Sequence, residues 1–301
     1  MIFNADGTFF EWGTQRDMLR QMSVYGILAC GMTLVIISGG IDLSVGSVMA
    51  LCAVTFSILG IHLQWSGFLA AGVTLAAGAA CGALSGWVIA RFKVQPFIAT
   101  LAMMVFARGV AKLLSGGEKV STAVQAADGT YQYVPVPASF QFLDARVLGG
   151  NVAVVTLLLA VCIAVSWWFL ARTVWGRRFY AIGGNETAAW YSGVPINRMK
   201  VLAYTMSGAF CAIAGMCQAG QEVQGDPETG MGYELTAIAM VVIGGTALNG
   251  GKGTMGLTVL GILIIGSLEK ILSINAVGEA SRLVLTGVII VGAVLFQGTK
   301  S

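Results

Sequence analysis

"GMTLVIISGGIDLSVGSVMALCAVTFSILG", residues 31–60, contains two long apolar runs that are joined by glycines and one carboxylate. The carboxylate belongs to Asp42. A charged group in apolar surroundings is costly unless it is partnered or hydrated. The role of Asp42 therefore depends on whether these surroundings are a soluble core or a membrane.

The composition places this stretch in a membrane. Of 301 residues, 56% are hydrophobic and 10% are charged, with a mean hydropathy of +0.82. A soluble domain carries about 25% charged residues, whereas the apolar runs here approach the ~20 residues that a helix needs to cross a bilayer. We therefore predict an all-α polytopic membrane protein embedded in the lipid bilayer. The nine predicted spans are 22–40, 43–61, 66–90, 95–114, 151–171, 201–219, 233–248, 254–272 and 282–297.

Lys and Arg in the connections predict the orientation, because they favour cytoplasmic loops. The connection 172–200 holds five of them, against three in 112–150. Residues 1–301 then form a single transmembrane domain with its N-terminus outside, a periplasmic loop at 115–150 and a cytoplasmic loop at 172–200. The first twenty residues are polar and lack the apolar core of a signal peptide, so we expect the spans themselves to direct insertion.

Sites for cofactors and nucleotides are not predicted. The six cysteines lie in apolar runs without metal-ligand spacing, and the single histidine, His62, has no partners for a metal site. The segment TALNGGKGTMG fails the P-loop pattern, because Thr246 replaces its glycine and Gly253 its Ser or Thr. Gly251, Gly253 and Gly256 fit G-x-G-x-x-G, but a span precedes them instead of a strand. We predict that the chain binds no cofactor, metal, nucleotide or nucleic acid.

Charged residues expected within the membrane are few: Asp42, Arg108, Glu234, and the pair Glu269 and Lys270 near a span end. An ion-driven carrier normally needs a relay of such groups facing a cavity. Most of these residues lie at span ends, where snorkelling or loop hydrogen bonds suffice, and Arg108 is the deepest. They form no evident proton path and no nucleophile–base set, so we predict a transport subunit and no enzyme.

The connection 172–200 contains a short helix with signals at both ends. Asn185 is a good N-cap, and Gly193 precedes a proline that stops the segment. These signals predict a two-turn helix at 186–192 that carries two aromatic residues. Such a helix is typical of a docking surface, and the alternative is a helix that lies on the membrane interface.

Two further patterns concern packing. The connection 115–150 contains VQAADGTYQYV, in which Asp128-Gly129 predicts a hairpin whose tyrosines contact either a partner or their own loop. The segment GAACGALSG, residues 78–86, carries glycine at every fourth position. This spacing predicts a helix face that lets a second helix approach closely.

Three segments carry a resemblance to a known family. GMTLVIISGGIDLSVGSVMAL, AIGGNETAAWYSGV and GYELTAIAMVVIGGTALNGGKGT resemble the permease subunits of bacterial ABC sugar importers, most closely the ribose-type carbohydrate permeases. The likeness covers residues 18–298. It implies an ABC importer permease bundle in the cell inner membrane. Such relatives usually have ten spans, one of them before the segment that corresponds to FFEWGTQRDMLRQ, whereas this sequence predicts nine.

The resemblance also implies a substrate and partners. The substrate class is a pentose, hexose or related polyol, delivered by a periplasmic sugar-binding protein. Two permease subunits, either identical or paralogous, form the pathway, and two cytoplasmic ABC ATPase subunits bind ATP and Mg²⁺. The sequence names neither the sugar nor the pathway residues, because neutral polar side chains and backbone groups suffice for a hydroxylated ligand.

Two groups of site residues follow from the resemblance and the predicted topology. The segment that docks in the ATPase would contain Gly183, Asn185, Ala188, Ala189 and Gly193. The turn near the inner mouth would contain Gly39, Gly40, Asp42 and Ser44. There the Asp42 carboxylate is expected to cap the next helix by accepting N–H bonds from residues 44–46. A sugar ligand or an ATPase contact are the alternatives for Asp42.

Two other functions are alternatives to a sugar permease. A permease of the branched-chain amino-acid type would need charged groups for a zwitterionic substrate, and the predicted pathway is mostly neutral. An ion-coupled secondary transporter would lose uptake with the ion gradient and would not need an ATPase subunit.

Overall fold

Apolar helices dominate the computed structural model, which describes residues 5–125 and 130–278 together with 280–282, 284–285 and 287–288. The helices are α1 Trp12–Ile37, α2 Val45–Ser57, α3 Gly67–Phe92, α4 Pro96–Ser115, α5 Ala138–Asp144, α6 Val154–Arg172, α7 Val174–Gly184, α8 Glu186–Tyr191, α9 Ile196–Glu222, α10 Tyr233–Ile243 and α11 Met255–Ile274. A 3-10 turn, Ala5–Phe10, precedes α1, and a π-turn, Ile58–His62, continues α2. The strands are β1 Ala123–Gln125, β2 Tyr131–Tyr133, β3 Arg146–Val147 and β4 Val152–Ala153.

Seven helices in the described part are long and apolar enough to cross a membrane: α1, α2 with its π-turn, α3, α4, α6, α9 and α11. This confirms the all-α polytopic fold. The predicted span 233–248 is wrong, because α10 ends at Ile243 and Gly244 and Gly245 start a turn there. The predicted span 282–297 lies mostly outside the described residues.

Helix α1 begins ten residues earlier than the predicted span at residue 22, because its polar first turns have partners. Arg20 pairs with Asp144, and Arg146 pairs with Asp17 at 2.8 Å. The indole of Trp12 donates to the Asn151 side chain at 2.9 Å. The polar residues before the apolar run are therefore helical, because their side chains form ion pairs and a hydrogen bond with the stretch 144–151.

The centre of the bundle is formed by α1, α2 and α9. Helices α1 and α2 are buried on nearly all sides, whereas α3 and α4 expose long apolar side chains, with Phe68 94% exposed. The predicted glycine face of α3 packs on α9: a Cβ on Gly82 would lie 2.0 Å from the Tyr204 carbonyl oxygen, and one on Gly78 2.5 Å from the Gly208 oxygen. Close helix approach through small residues is thus confirmed.

The connection between α4 and α6 holds the predicted hairpin. Strands β1 and β2 pair antiparallel, with Gln125 opposite Tyr131. The predicted turn at residues 128–129 lies outside the described residues. Tyr131 and Tyr133 are 64% and 81% exposed, so these rings do not pack on their own loop.

Candidate functional site

The turn between α1 and α2 lies inside the bundle and is centred on Asp42, which is 2% exposed. Its Oδ1 accepts the Ser44 backbone N–H at 3.0 Å and the Ser44 hydroxyl at 2.6 Å. Its Oδ2 accepts the Ser207 hydroxyl at 2.7 Å. Because Ser207 lies near the middle of α9, the carboxylate ties the turn to the centre of that helix.

The predicted capping role of Asp42 needs correction. The N-cap of α2 is Ser44, and it makes no capping bond with its side chain. Of the three N–H groups expected to bond the Asp42 carboxylate, at residues 44–46, only that of Ser44 does so. The second carboxylate oxygen instead accepts the Ser207 hydroxyl from α9. A buried carboxylate with three donors is stabilised in place.

A second bond fixes the same turn to α9. The Tyr204 hydroxyl donates to the Ile41 carbonyl oxygen at 3.3 Å. A Cβ on Gly40 would lie 2.3 Å from that hydroxyl oxygen, so only glycine leaves room for the tyrosine. Sequence reasoning singled out Gly40 and missed Tyr204 and Ser207, because hydroxyl side chains within a span carry no signal of a distant partner.

Three separate segments meet at four glycines, Gly39, Gly183, Gly250 and Gly251, which we call the glycine junction. A Cβ on Gly183 would lie 2.0 Å from the Ile37 carbonyl oxygen and 2.4 Å from the Gly251 nitrogen. A Cβ on Gly250 would lie 2.9 Å from the Cα atoms of both Gly39 and Gly183. The backbones of the α1–α2 turn, the end of α7 and the 244–254 turn are therefore in direct contact.

Hydrogen bonds and backbone conformation stabilise the glycine junction. The Gly251 N–H donates to the Ile37 carbonyl oxygen at 3.0 Å. Gly39, Gly250 and Gly251 have φ values of 83°, 84° and 71°, a region that favours glycine. The Tyr180 hydroxyl of α7 donates to the Gly253 carbonyl oxygen at 2.8 Å, and burial raises the pKa of that hydroxyl. The segment that resembled a nucleotide-binding loop therefore forms a packing turn.

Helix α8 follows the glycine junction directly and confirms the predicted short helix. Asn185 caps it, since its Oδ1 accepts the Ala188 N–H at 2.9 Å. Gly193 ends it with a φ of 78°. Ala188 is exposed, whereas Ala189 is 4% exposed and packs inward. The two predicted docking alanines therefore lie on different faces.

The exposed face of α8 also carries its aromatic residues. Trp190 and Tyr191 are 63% and 78% exposed, and their rings lie 4.9 Å apart. At the base of the helix, Lys200 pairs with Glu186 at 2.7 Å. A short capped helix thus presents two aromatic rings to its surroundings, on a base that is anchored to α9.

The non-helical segment 223–232 joins α9 to α10, and a side chain of helix α4 hydrogen-bonds its backbone. The Arg108 guanidinium donates from Nη1 to the carbonyl oxygens of Pro227 and Thr229, the latter at 2.7 Å. Farther along, Lys119 pairs with Asp226 at 3.1 Å, and this bond raises the pKa of the lysine. The deepest charge predicted from the sequence therefore positions a segment of backbone.

Apolar helices joined by buried polar turns, with a short capped helix that is exposed, define a polytopic membrane protein. The chain belongs to the family described as "Branched-chain amino acid transport system / permease component", which it matches over residues 16–294. The family resemblance drawn from the three sequence segments is thereby confirmed.

Relatives extend over nearly the whole chain. The ribose import permease protein RbsC of Escherichia coli K12 is 38% identical over 301 residues, 100% of this chain and 90% of that protein. The L-arabinose transport system permease protein AraH of Escherichia coli K12 is 35% identical, over 93% of this chain and 80% of its own. The fructose import permease protein FrcC of Rhizobium meliloti is 34% identical, over 96% of this chain and 78% of that protein. No solved structure matches the chain significantly.

Proposed function

We propose that this chain is the permease subunit of an ATP-driven ABC importer that moves a monosaccharide across the bacterial inner membrane. The observation that carries the proposal is the similarity, over at least 93% of the chain, to permeases named for ribose, L-arabinose and fructose. All three relatives are named for a sugar, which favours a sugar over a branched-chain amino acid as the substrate.

The proposed partners follow from this class. A cytoplasmic ATPase subunit would bind ATP and Mg²⁺, a periplasmic sugar-binding protein would deliver the substrate, and a second permease copy or paralogue would complete the pathway. The connection 172–200 would face the cytoplasm and 115–150 the periplasm. The exposed face of α8, with Ala188, Trp190 and Tyr191, is the proposed contact for the ATPase.

The glycine junction supports a mechanism for coupling. A push on α8 reaches the end of α7, where Gly183 contacts the backbone of the α1–α2 turn and of the 244–254 turn. Backbone atoms in contact cannot absorb a displacement in the way that flexible side chains do. The movement would pass to the turn that holds Asp42 and through Ser207 to α9.

Uptake measurements test the proposed function. Cells that lack their own sugar permeases would receive this chain together with an ABC ATPase subunit and a periplasmic sugar-binding protein, and labelled ribose, arabinose, fructose and leucine would be supplied. We expect uptake of one sugar that disappears when the ATPase is omitted. Uptake that survives without the ATPase and collapses with the ion gradient would identify a secondary transporter, and leucine uptake would identify an amino-acid permease.

A further inference from the structure

A cavity of about 440 Å³ lies between the start of α2, the second half of α4 and the start of α10. This volume falls in the usual range for small-molecule sites, about 300–1,000 Å³. Its walls combine four polar side chains with an apolar surface. The polar residues are Ser47, Arg108, Lys112 and Glu234, and the apolar part includes Met104, Gly109 and Met231.

Ser47 supplies a hydroxyl at the wall of the cavity. The residue is 3% exposed and lines the cavity, and its hydroxyl makes no hydrogen bond to any residue that the structure describes. Hydroxyls such as those of Thr33 and Thr74 bond the carbonyl four residues earlier, at Ala29 and Ala70, both at 2.7 Å. The Ser47 hydroxyl makes no such bond and borders the cavity, so a ligand there can bond it.

Arg108 on α4 and Glu234 on α10 bring a donor and an acceptor to the lining of the same cavity. A guanidinium has five N–H donors, and Nη1 of Arg108 alone bonds the protein backbone, among the described residues. The Glu234 carboxylate lies beside the first turn of α2, where its Oε2 is 2.8 Å from the position of a Cβ on Gly46. The cavity is therefore lined by a guanidinium, a carboxylate and a hydroxyl, and the charges of Arg108 and Glu234 are opposite. Lys112, which also lines it, pairs with Glu228.

We propose that this cavity is a subsite for a neutral polyol, the hydroxyl groups of a monosaccharide in transit. The inference rests on the proposed function and names the residues that meet its substrate. Vicinal hydroxyls both donate and accept, so they suit a carboxylate, a guanidinium and a serine together. Met104 and Met231 supply the apolar surface that the C–H face of a sugar ring can cover.

The first test fills the cavity. A Cβ on Gly109 meets nothing within 4 Å, so Gly109→Leu fits the chain and projects into the space beside Arg108. Gly72 on α3 likewise meets nothing within 4 Å and does not line the cavity, so Gly72→Leu is the matched control. We expect sugar uptake to fall at least about tenfold in the first variant and to stay within about twofold in the second.

The second test removes single hydrogen-bonding groups. We expect Ser47→Ala to raise the KM for sugar uptake roughly threefold to tenfold, and Ser47→Thr, which keeps a hydroxyl, to restore it. Glu234→Gln keeps an acceptor, so for a polyol substrate we expect the KM for uptake to stay within about tenfold of the wild-type value. For a zwitterionic amino acid the same change removes the charged partner of the ammonium group, so uptake of that substrate would fall much further.

The outcomes separate this inference from the proposed function. Assembly is checked by co-purification with the ATPase, and if Gly109→Leu does not assemble, the Ser47 and Glu234 variants decide the test. Wild-type sugar uptake that neither the Gly109 nor the Ser47 variant alters would overturn the subsite and leave the permease function standing. A wild-type chain that imports no sugar would overturn both.

Discussion

Gly183 and Gly251 lie in backbone contact, such that a Cβ on the first would sit 2.4 Å from the nitrogen of the second. Gly183 lies in the last turn of α7, the helix before α8, and Gly251 bonds the last residue of α1. Two glycines that are far apart in the sequence therefore connect the segment that precedes α8 to the interior of the bundle.

This contact predicts that Gly183 does not tolerate a side chain. Gly183→Ala would place its Cβ 2.0 Å from the Ile37 carbonyl oxygen, so the backbone must shift. We expect a loss of about 1–3 kcal/mol in the free energy of unfolding, together with a loss of uptake. The adjacent Gly184→Ala is the matched control, since a Cβ there meets nothing within 4 Å. Thermal unfolding in detergent and sugar uptake measure both, and equal behaviour of the two variants would contradict the glycine junction.

A second prediction concerns the network around Asp42. Asp42→Asn keeps an acceptor for Ser44 and a polar partner for Ser207, so assembly and most transport should survive. Asp42→Leu leaves both hydroxyls and a backbone N–H without that acceptor, and we expect a loss of about 3 kcal/mol or more. Ser207→Ala should cost about 1.5–3 kcal/mol, because one buried carboxylate oxygen loses its donor.

A double-mutant cycle on Asp42 and Ser207 separates the bond from other effects. The two losses should not add, because the Asp42→Leu, Ser207→Ala chain breaks the same bond only once. Additive losses in unfolding measurements would mean that the two side chains act independently. Abolished transport in a stable Asp42→Asn variant would instead indicate that the charge itself is needed.

A third prediction distinguishes the two alanines of α8. Ala188 is exposed, so Ala188→Glu should leave the chain folded and abolish co-purification with the ATPase subunit. Ala189 is 4% exposed, so Ala189→Glu should destabilise the chain itself by burying a charge. Ala138→Glu, an exposed position at the start of α5, is the control for an added charge and should retain the ATPase. Normal co-purification of Ala188→Glu would place the docking surface elsewhere.

A fourth prediction concerns the side on which each connection lies. Tyr133→Cys and Trp190→Cys introduce thiols at positions that are 81% and 63% exposed. A membrane-impermeant maleimide added to intact cells should label the first and spare the second, and permeabilised cells should show both. The native cysteines give little background, since five of the six are buried. Labelling of both positions in intact cells would contradict the proposed orientation.

Local features of the structure were predictable from the sequence, and distant contacts were not. The helix α8 follows from its own residues, because Asn185 and Gly193 cap it within a few positions. The early start of α1 could not be predicted, since the pairs that stabilise its polar turns join Asp17 and Arg20 to residues 144 and 146. Hydropathy likewise predicted a span to residue 248, whereas α10 ends at Ile243. The averaged hydropathy of a window does not show that the chain turns at Gly244.

The candidate site shows the same division. Gly39 and Gly183 were singled out separately, but their contact with Gly250 depends on how three segments fold together. The Asp42 carboxylate was expected to bond its own neighbours, and one of its oxygens found Ser207 instead. A sequence pattern can indicate that a buried carboxylate needs donors, whereas the fold decides which donors are near.

The Asp42–Ser207 bond also has a consequence for biogenesis. The two residues are separated by 165 positions, so α1 and α2 leave the ribosome long before α9 is synthesised. At about 5–20 residues per second, that delay is on the order of ten seconds or more. During this time the α1–α2 hairpin carries a carboxylate that lacks its final partner. Insertion of this hairpin must therefore proceed with Asp42 either hydrated or protonated until the later helices arrive.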